Sequence, residues 1–432
     1  MASKIAIVGS GISGLVSAHR LHPEHDITVY EANDRVGGHT NTVRVDSADD
    51  TQWIDTGFIV YNDRNYPNFE PLLAELGVAT QKSRMSFSVS DDSGSFEYAG
   101  SPWGLFAQPR NAADPRFLRM VRDLVRFNRE ARELLALAPD EGPSLREFLR
   151  EGGYGEWFSE RLIVAQASAV WSADPEQMWS FPAAFLARFF HNHGMLGFTG
   201  RPHWRTVTGG SRRYVEAITR PFADRIRTSA PVRSIERTPE GVRVSADGCE
   251  PELFDEVVVA AHSDQALAML AHPTDAERQV LGSIDYQPNQ AVLHTDTSLL
   301  PDRRLAWASW NFHLTEPVRP QTTLTYWMNA LQSLDTKTDY CVTLNMADRI
   351  DPDKVIETID YEHPVFTPEG VAAQERQMEI SGADRIHYCG AYWRWGFHED
   401  GVVSALRALD NVGRSPAQAA AAAAAPVQRL AA

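Results

Sequence analysis

The chain opens on an apolar run, Lys4-Ile5-Ala6-Ile7-Val8, whose unbroken hydrophobicity predicts a strand buried on both faces. Gly9-Ser10-Gly11-Ile12-Ser13-Gly14 follows at once. Ile12, Leu15, Val16 and Leu21 then fall at helical spacing, and Pro23 stops the helix. Ile27-Thr28-Val29-Tyr30 reads as a second strand, closed by Glu31. Residues 42–45 and 52–54 predict strands feeding Asp55-Thr56-Gly57-Phe58, and residues 68–76 predict a helix ended by Gly77. Residues 86–98 alternate as a hairpin around Asp91-Asp92-Ser93-Gly94.

From 115 to 193 the period becomes helical. Phe117, Val121, Leu124 and Val125 predict one stripe, continued by Leu134, Leu135 and Leu137, and Ser144-Leu145-Arg146-Glu147 is a capping box. Residues 170–198 concentrate Trp171, Trp179, Phe181, Phe185, Phe189, Phe190 and Phe198. That block reads either as the core of a helical subdomain or as an apolar tunnel or membrane-contacting face for a lipid chain. Residues 202–210 lead into a helix carrying Tyr214 and Ile218. Short strands at 226–228, 232–237 and 241–245 predict a meander. Residues 255–261 predict another buried strand, with His262 at its end as either a helix cap or a ligand-facing group. Strands of a second sheet are expected at 291–294, 305–311 and 324–329. His363 stands beside Asp360 and Glu362, but adjacent strand residues diverge, so a solvated surface is expected there and no metal set. Residues 385–390 give a strand and tight turn, and Asp400 to Leu406 starts a helix. From Ser415 the tail is alanine-rich without a packing pattern.

The first glycine run carries the candidate chemistry. Gly9 permits the tight turn, Gly11 lets backbone approach a pyrophosphate, and Gly14 allows close helix–strand packing. Free N–H groups of Ile12 and Ser13 at the helix start face the phosphates. Glu31 accepts ribose hydroxyls and would repel a 2′-phosphate, which argues against NADP. Strand, turn, helix and distant acid together predict an adenine dinucleotide site.

Arg35-Val36-Gly37-Gly38-His39-Thr40 extends that motif, and the chain here resembles the FAD-binding domain of the flavin amine oxidase superfamily. His39 stands where those proteins usually carry Arg, so that arginine's role does not transfer. The strings EANDRVGGHTNT, DTGFIVYNDRNYPNF and YCGAYWRWGFHEDG resemble a narrower group, FAD-dependent oxidoreductases associated with cyclopropane-type or methyl-branched fatty-acid modification. The resemblance runs from near residue 4 to near 410. It implies an α/β fold: a Rossmann-like FAD-binding domain of the GR2 type with a discontinuous, amine-oxidase-like substrate domain of mixed sheet and helices. The cofactor domain would comprise 1–60, 205–265 and 385–412, and the substrate domain 61–204 and 266–384, with a helical subdomain at about 115–198. Residues 413–432 form the tail.

The same resemblance implies FAD, bound non-covalently because Cys389 sits away from the position of a cysteinyl–flavin link. Gly9, Gly11, Ile12, Ser13, Gly14, Glu31, Arg35, Gly37, Gly38, His39, Thr40, Gly57, Phe58 and Val232 would hold it from the first three segments. Gly390, Asp400, Gly401 and Val402 would hold it from the last, where a helix N-terminus favours charge on the reduced ring. Gly57 packs near the flavin or is a plain turn. His398 or Glu399 would exchange a proton with substrate, or His398 merely caps the helix. Tyr326, Trp393 and Trp395 would wall a substrate pocket or simply fill core.

Composition narrows the partners. A net charge of −16 argues against nucleic acid and against simple electrostatic adsorption to anionic lipid. Cys249, Cys341 and Cys389 are scattered, which suggests neither disulfides nor a metal site and fits a reducing cytoplasm. Met1-Ala2-Ser3 leads straight into the first strand, so a signal peptide is not expected, and no apolar run suits a membrane span. The expectation is a cytoplasmic enzyme, with peripheral contact at the inner membrane face left open. It would desaturate, reduce or isomerise an unsaturated or methyl-branched fatty-acyl chain or another apolar small molecule. Two alternatives stand beside it: an amine or amino-acid oxidase, which would want a lysine near the ring, and a flavin-bound non-catalytic partner of a methyltransferase-type enzyme.

Overall fold

A computed structural model describes residues 2–46, 50–139, 141–197 and 199–413. Its first layer is a five-stranded parallel sheet in the order Ile226–Arg227, Asp26–Tyr30, Lys4–Val8, Glu256–Val259, Ile386–Tyr388. Lys4–Val8 lies near the middle with Ala6 opposite both Thr28 and Val257, and Ile5, Ala6 and Ile7 are wholly buried. This is the two-faced burial that an unbroken apolar run demands. The short strand at Ile226 belongs to this sheet's edge, paired in parallel with Val29, and not to the meander. Two residues are too few to carry a hydrophobic period, so the sequence could not tell one sheet from the other. The meander is built instead from Val232–Thr238, Gly241–Ala246 and Glu252–Phe254.

The second layer is a seven-stranded sheet. Val355–Val365 pairs with Asp285–His294, followed by Cys341–Leu344, Leu324–Trp327, Trp310–Leu314, Phe87–Asp91 and Glu97–Ala99. The expected strand at 305–311 starts only at Trp310, because residues 304–306 form a single 3-10 turn. Likewise 324–329 leaves the strand at Trp327 for a short helical turn.

Between the sheets' segments, residues 115–192 form a helical bundle whose centre is Phe117, Phe127, Phe158, Phe181 and Phe190, all at most 2 % exposed. Each such ring contributes roughly 1.5–3 kcal/mol through burial. The stripe expected on Pro115–Glu130 is displaced: Phe117, Met120, Asp123 and Phe127 face inward, while Val125 is exposed. The buried face is centred on Met120 and Phe127, about 60–80° round from the centre of the expected stripe, which leaves Val125 beyond its edge. Asp123 takes an inward position because its carboxylate accepts the Gly155 N–H at 2.9 Å.

The last helix begins at His398, two residues before the expected start, with Asp400 accepting the Phe397 N–H at 2.9 Å. Phe198 of the aromatic block and the alanine-rich tail from residue 414 lie outside the described residues. Among the described residues, no helix is long and apolar enough to cross a membrane.

Candidate functional site: a dinucleotide cradle opening on an aromatic chamber

A cavity of about 1250 Å³ runs between the two sheets. One end is the first turn. Gly9 has φ +98, and a Cβ there would meet the Ala260 carbonyl oxygen at 2.6 Å. Gly14 is packed harder still, its Cβ position 2.0 Å from the Gly9 oxygen. Gly11 differs from both, because a Cβ at Gly11 would meet nothing within 4 Å and would project into open space. The helix Ile12–Leu21 starts there without any side-chain cap. Its first N–H groups are therefore free to face an anion.

Glu31 is buried at the strand end and lines the cavity. Its Oε2 accepts the Ser10 N–H at 3.0 Å, and its Oε1 accepts the Asn33 N–H at 2.8 Å. These bonds fix the carboxylate beside the turn. Arg35 closes the second glycine loop by donating to the carbonyls of Gly38 at 2.9 Å and Thr40 at 3.3 Å. Gly37 and Gly38 both have positive φ, and a Cβ on Gly38 would stand 2.9 Å from the Gly11 Cα. The two glycine loops thus touch, leaving a narrow slot lined by backbone.

Of the residues expected at the cofactor, Gly9, Gly11, Ile12, Ser13, Glu31, Arg35, Gly37, Gly38, His39, Gly57, Phe58, Val232 and Gly390 all line the cavity. Gly14, Thr40, Asp400, Gly401 and Val402 do not, and each acts from behind the wall. Ser13 donates its hydroxyl to the Gly401 carbonyl at 3.0 Å, and a Cβ on Gly401 would press Ile12 at 2.6 Å. The last helix is thereby seated against the first. Asp400 is buried, which pushes its carboxyl up to about 7.

The other end of the cavity is aromatic. Trp171, Trp310, Tyr326, Phe366, Trp395, Phe397 and His398 wall it. Trp310 and Tyr326 meet edge-on at 5.1 Å, and the Trp171 indole N–H donates to the Trp395 carbonyl at 3.2 Å. Among the described residues, three buried polar atoms of cavity-lining residues, His262 Nδ1, Trp310 Nε1 and the Tyr392 hydroxyl, make no hydrogen bond, although Glu362 stands 3.5 Å from His262 Nδ1. Trp393 faces the core under the meander and is not a wall. Among the described residues of the block 170–198, only Val170, Trp171 and Ser172 line the cavity. Phe181, Phe185, Phe189 and Phe190 belong to the core of the helical bundle, with Phe181 packed on Phe185 and Phe189 on Phe190.

The two residues expected to exchange a proton, His398 and Glu399, and Tyr326, expected beside them at the reacting centre, separate. Tyr326 and His398 line the chamber, whereas Glu399 is turned away: its Oε2 accepts the Phe69 N–H at 2.9 Å and its Oε1 the Asn68 side-chain amide at 2.6 Å. It caps the helix Phe69–Glu75. His398 lies in the helix's first turn, with Nε2 3.0 Å from Thr40 Oγ1 and 2.9 Å from the Tyr214 hydroxyl. Burial holds its imidazole well below its ordinary pKa.

A histidine group went unread in the sequence. His39, His262 and His363 converge on one wall, with His39 ring centroids 6.0 Å from His262 and 5.4 Å from His363. His262 makes no side-chain cap. It stacks on Tyr286 at 4.3 Å and lines the cavity. The strand Val355–Val365 is a cavity wall as well as an exposed edge, which corrects the solvated surface expected for 357–364. The alternation Ile359, Tyr361, His363 was the available signal, since every second residue of a strand shares a face. Burial drives His39 down to about 3 and His363 to about 4. Among the described residues, no group of three or more His, Cys, Asp or Glu is arranged to hold a metal ion.

A turn bare of side chains, a helix start aimed into it, a fixed acid and a long adjoining chamber define a dinucleotide-binding flavoprotein fold. The comparisons agree: the chain belongs to the flavin containing amine oxidoreductase family, which matches residues 12–412. It is 25% identical over 290 residues to AofH of Mycobacterium tuberculosis, whose name assigns it to the flavin-containing monoamine oxidases. That match covers 64% of this chain and 61% of AofH, so the chain spans about three-fifths of that relative's length. Two solved structures share the fold. Cyclohexylamine oxidase from Brevibacterium oxydans superposes with a TM-score of 0.67 at 16% identity, covering 98% of this chain and 99% of that one. A CLA-producing fatty acid isomerase from P. acnes superposes at 0.67 and 16%, covering 95% and 99%.

The cofactor is FAD, bound without a covalent link. Gly9, Gly11, Ile12, Ser13, Glu31 and Gly38 would hold its adenine dinucleotide half, and the chamber end its flavin. No cysteine lines the cavity. Cys389 is buried with its sulfur 3.9 Å from Ser17 Oγ, and burial pushes its thiol up to about 12.

Proposed function

We propose that the protein is an FAD-dependent oxidoreductase that desaturates an apolar substrate, an unsaturated or methyl-branched acyl chain. The observation that carries this is the chamber wall. Trp171, Trp310, Tyr326, Leu331, Phe366, Trp395 and Phe397 are apolar or aromatic, and none of the four lysines of the chain lines the cavity. An acyl chain offers only apolar area, roughly 0.8 kcal/mol per buried methylene, and such walls are what can recognise it. When bound, FAD supplies hydride acceptance.

The chain's own residues would orient the acyl chain and take the proton. His398 is the proton acceptor in this reading. Its Nε2 is held by Thr40 and Tyr214, and Nδ1 has no hydrogen bond among the described residues. Burial keeps the imidazole neutral, so it carries no extra proton to give, and its unbonded Nδ1 is the atom at which a proton could be taken. Proton removal, as in desaturation, therefore suits it better than protonation, as in reduction. Tyr326 is kept as phenol by burial and would act as a wall and hydrogen-bond donor.

A second reading rests on Glu357, Asp360 and Glu362, exposed carboxylates of the strand that borders the cavity, which an ammonium group could meet at its rim. Oxidation of an amine is that reading, and the names of the relatives favour it. The experiment is anaerobic mixing of the FAD-loaded protein with acyl lipids of graded length, unsaturated and branched, beside a panel of amines. Bleaching of the flavin by lipids, rising with chain length, is expected. Bleaching by amines alone overturns the lipid substrate. Bleaching by a nicotinamide followed by reoxidation with lipid reverses the direction to reduction.

A further inference from the structure

The chain carries a net charge of −16, yet residues 101–132 hold seven arginines against three acids, a local charge of +4. The helix Pro115–Glu130 carries most of them. Leu118, Arg122, Val125 and Arg129 repeat at steps of four, three and four, which places them on one helical face. That face is open: the Arg122 and Arg129 side chains are 74% and 76% exposed, and Leu118 and Val125 are 48% and 55% exposed. Asp123, 1% exposed, lies 3.8 Å from Arg122, and Glu130 lies 3.1 Å from Arg129, so the two acids temper the charge of this face, but seven arginines against three acids leave the segment basic.

Apolar side chains protrude beside this face. Trp103 is 83% exposed, and Phe106, one turn on, is 44% exposed with its ring 6.3 Å from Phe117 of the basic helix. The turn Arg304–Ala306 packs beside the turn Gly104–Phe106 and adds Leu305, 65% exposed. Five of the nine large hydrophobic side chains exposed among the described residues therefore fall on these neighbouring elements. None of the five lines the cavity, so the substrate site does not account for them.

We infer that this surface docks the protein on an anionic phospholipid bilayer, the arginines meeting headgroup phosphates while Trp103, Phe106 and Leu305 insert. Protruding apolar side chains beside a run of arginines match what an anionic lipid surface offers. A nucleic acid would draw on the arginines and leave Leu118, Val125 and Leu305 in water. The inference does not rest on the substrate proposed above, because its readout is binding and not turnover.

The test is co-sedimentation of the FAD-loaded protein with phosphatidylcholine vesicles, with and without phosphatidylglycerol, at low and high salt. Pelleting is expected only with phosphatidylglycerol and should fall with salt. Each arginine near an anionic surface is worth about 5-fold in partitioning, so Arg122→Gln with Arg129→Gln should lower it about 25-fold. Trp103→Ala should lower it without changing the salt slope. Arg122→Gln alone repeats the test at about 5-fold should the pair disturb folding, which flavin absorbance and melting would reveal. The inference fails if the wild type does not pellet, if it pellets equally without phosphatidylglycerol, or if the variants pellet like the wild type. It also fails if soluble heparin binds as strongly as the vesicles, or if the protein self-associates through these residues.

Discussion

The imidazole of His398 lies flat on the ring of Phe58, centroids 3.5 Å apart and planes 14° from parallel. Phe58 comes from the segment after the second glycine loop and His398 from the last helix, so this stack joins those two distant segments at the cavity wall. Thr40 and Tyr214 hold the far side of the imidazole. The ring thus has a packing role and, as proposed, a chemical one. His398→Phe separates them by keeping the stack and removing the nitrogens. It should cost about 1 kcal/mol in stability through the lost hydrogen bonds, retain FAD, and lose turnover of the lipid substrate. His398→Ala should cost about 2–4 kcal/mol by leaving a void. Full turnover in His398→Phe, measured beside the melting curves, would reduce the residue to a spacer.

Gly11 and Gly14 sit in one motif but should fail differently. Gly11 has φ −65, and a side chain there meets open cavity. Gly11→Val should therefore fold with a melting temperature close to that of the flavin-free wild type and bind no FAD, because the valine fills the pyrophosphate slot. Gly14→Ala puts a methyl 2.0 Å from the Gly9 carbonyl and should lower the melting temperature of the protein itself. Reconstitution with FAD followed by desalting, with a thermal melt of each flavin-free protein, checks both. FAD retention in Gly11→Val would refute the cradle.

The contrast between those glycines shows what the sequence could and could not say. The run from Lys4 to Glu31 was legible because every constraint in it is local: an apolar strand, a turn needing glycine, an amphipathic helix and an acid at the next strand's end. The whole cradle follows. The chamber was legible only in part, since its walls come from separate strands and helices. Tyr326 and Trp395 were foreseen, but Trp310 and Phe366 owe their places to sheet register and packing. The histidine wall was missed because His39, His262 and His363 come from three distant segments. Glu399 was misread for the opposite reason. Beside His398 in sequence, it points to the other side of the helix, where Asn68 waits.

Glu399 should therefore behave as a structural group. Its carboxylate takes the N–H groups of Asn68 and Phe69 at the start of the helix Phe69–Glu75. Glu399→Gln keeps one acceptor and should cost about 1–2 kcal/mol, in the range of a lost helix cap. Substrate turnover should be unchanged in kcat and KM once the protein is folded and FAD-loaded. A fall in kcat of a hundredfold or more, on the order of a lost general acid or base, would return Glu399 to the reaction.

Acid should unfold this protein early, and buried histidines give the reason. His193, His294, His313 and His363 are each pushed down to about 4, His39 to about 3, and His398 also lies well below 6.5, all through burial. In the unfolded chain they titrate near 6.5. As pH falls below 6.5, the unfolded state binds protons that the native state refuses, so stability declines towards about pH 4, where the native imidazoles begin to charge. Asp55 and Asp400 oppose this. Burial raises each to about 7, so the native state holds protons that the unfolded state has lost, and these two favour folding at lower pH within the same window. Burial also lowers His262 and raises Glu160 and Glu399, so seven histidines stand against four carboxyls and the histidines remain dominant. Each unmatched proton is worth about 1.4 kcal/mol per pH unit, so two or three suffice to consume a typical folding stability of about 5–15 kcal/mol across the window. The melting temperature of the FAD-loaded protein should drop steeply between about pH 6.5 and 4. His294→Asn, outside the cavity, should flatten the slope by about one proton. A melting temperature that stays level or rises as pH falls through that window would show that these histidines are reached by water in the native protein.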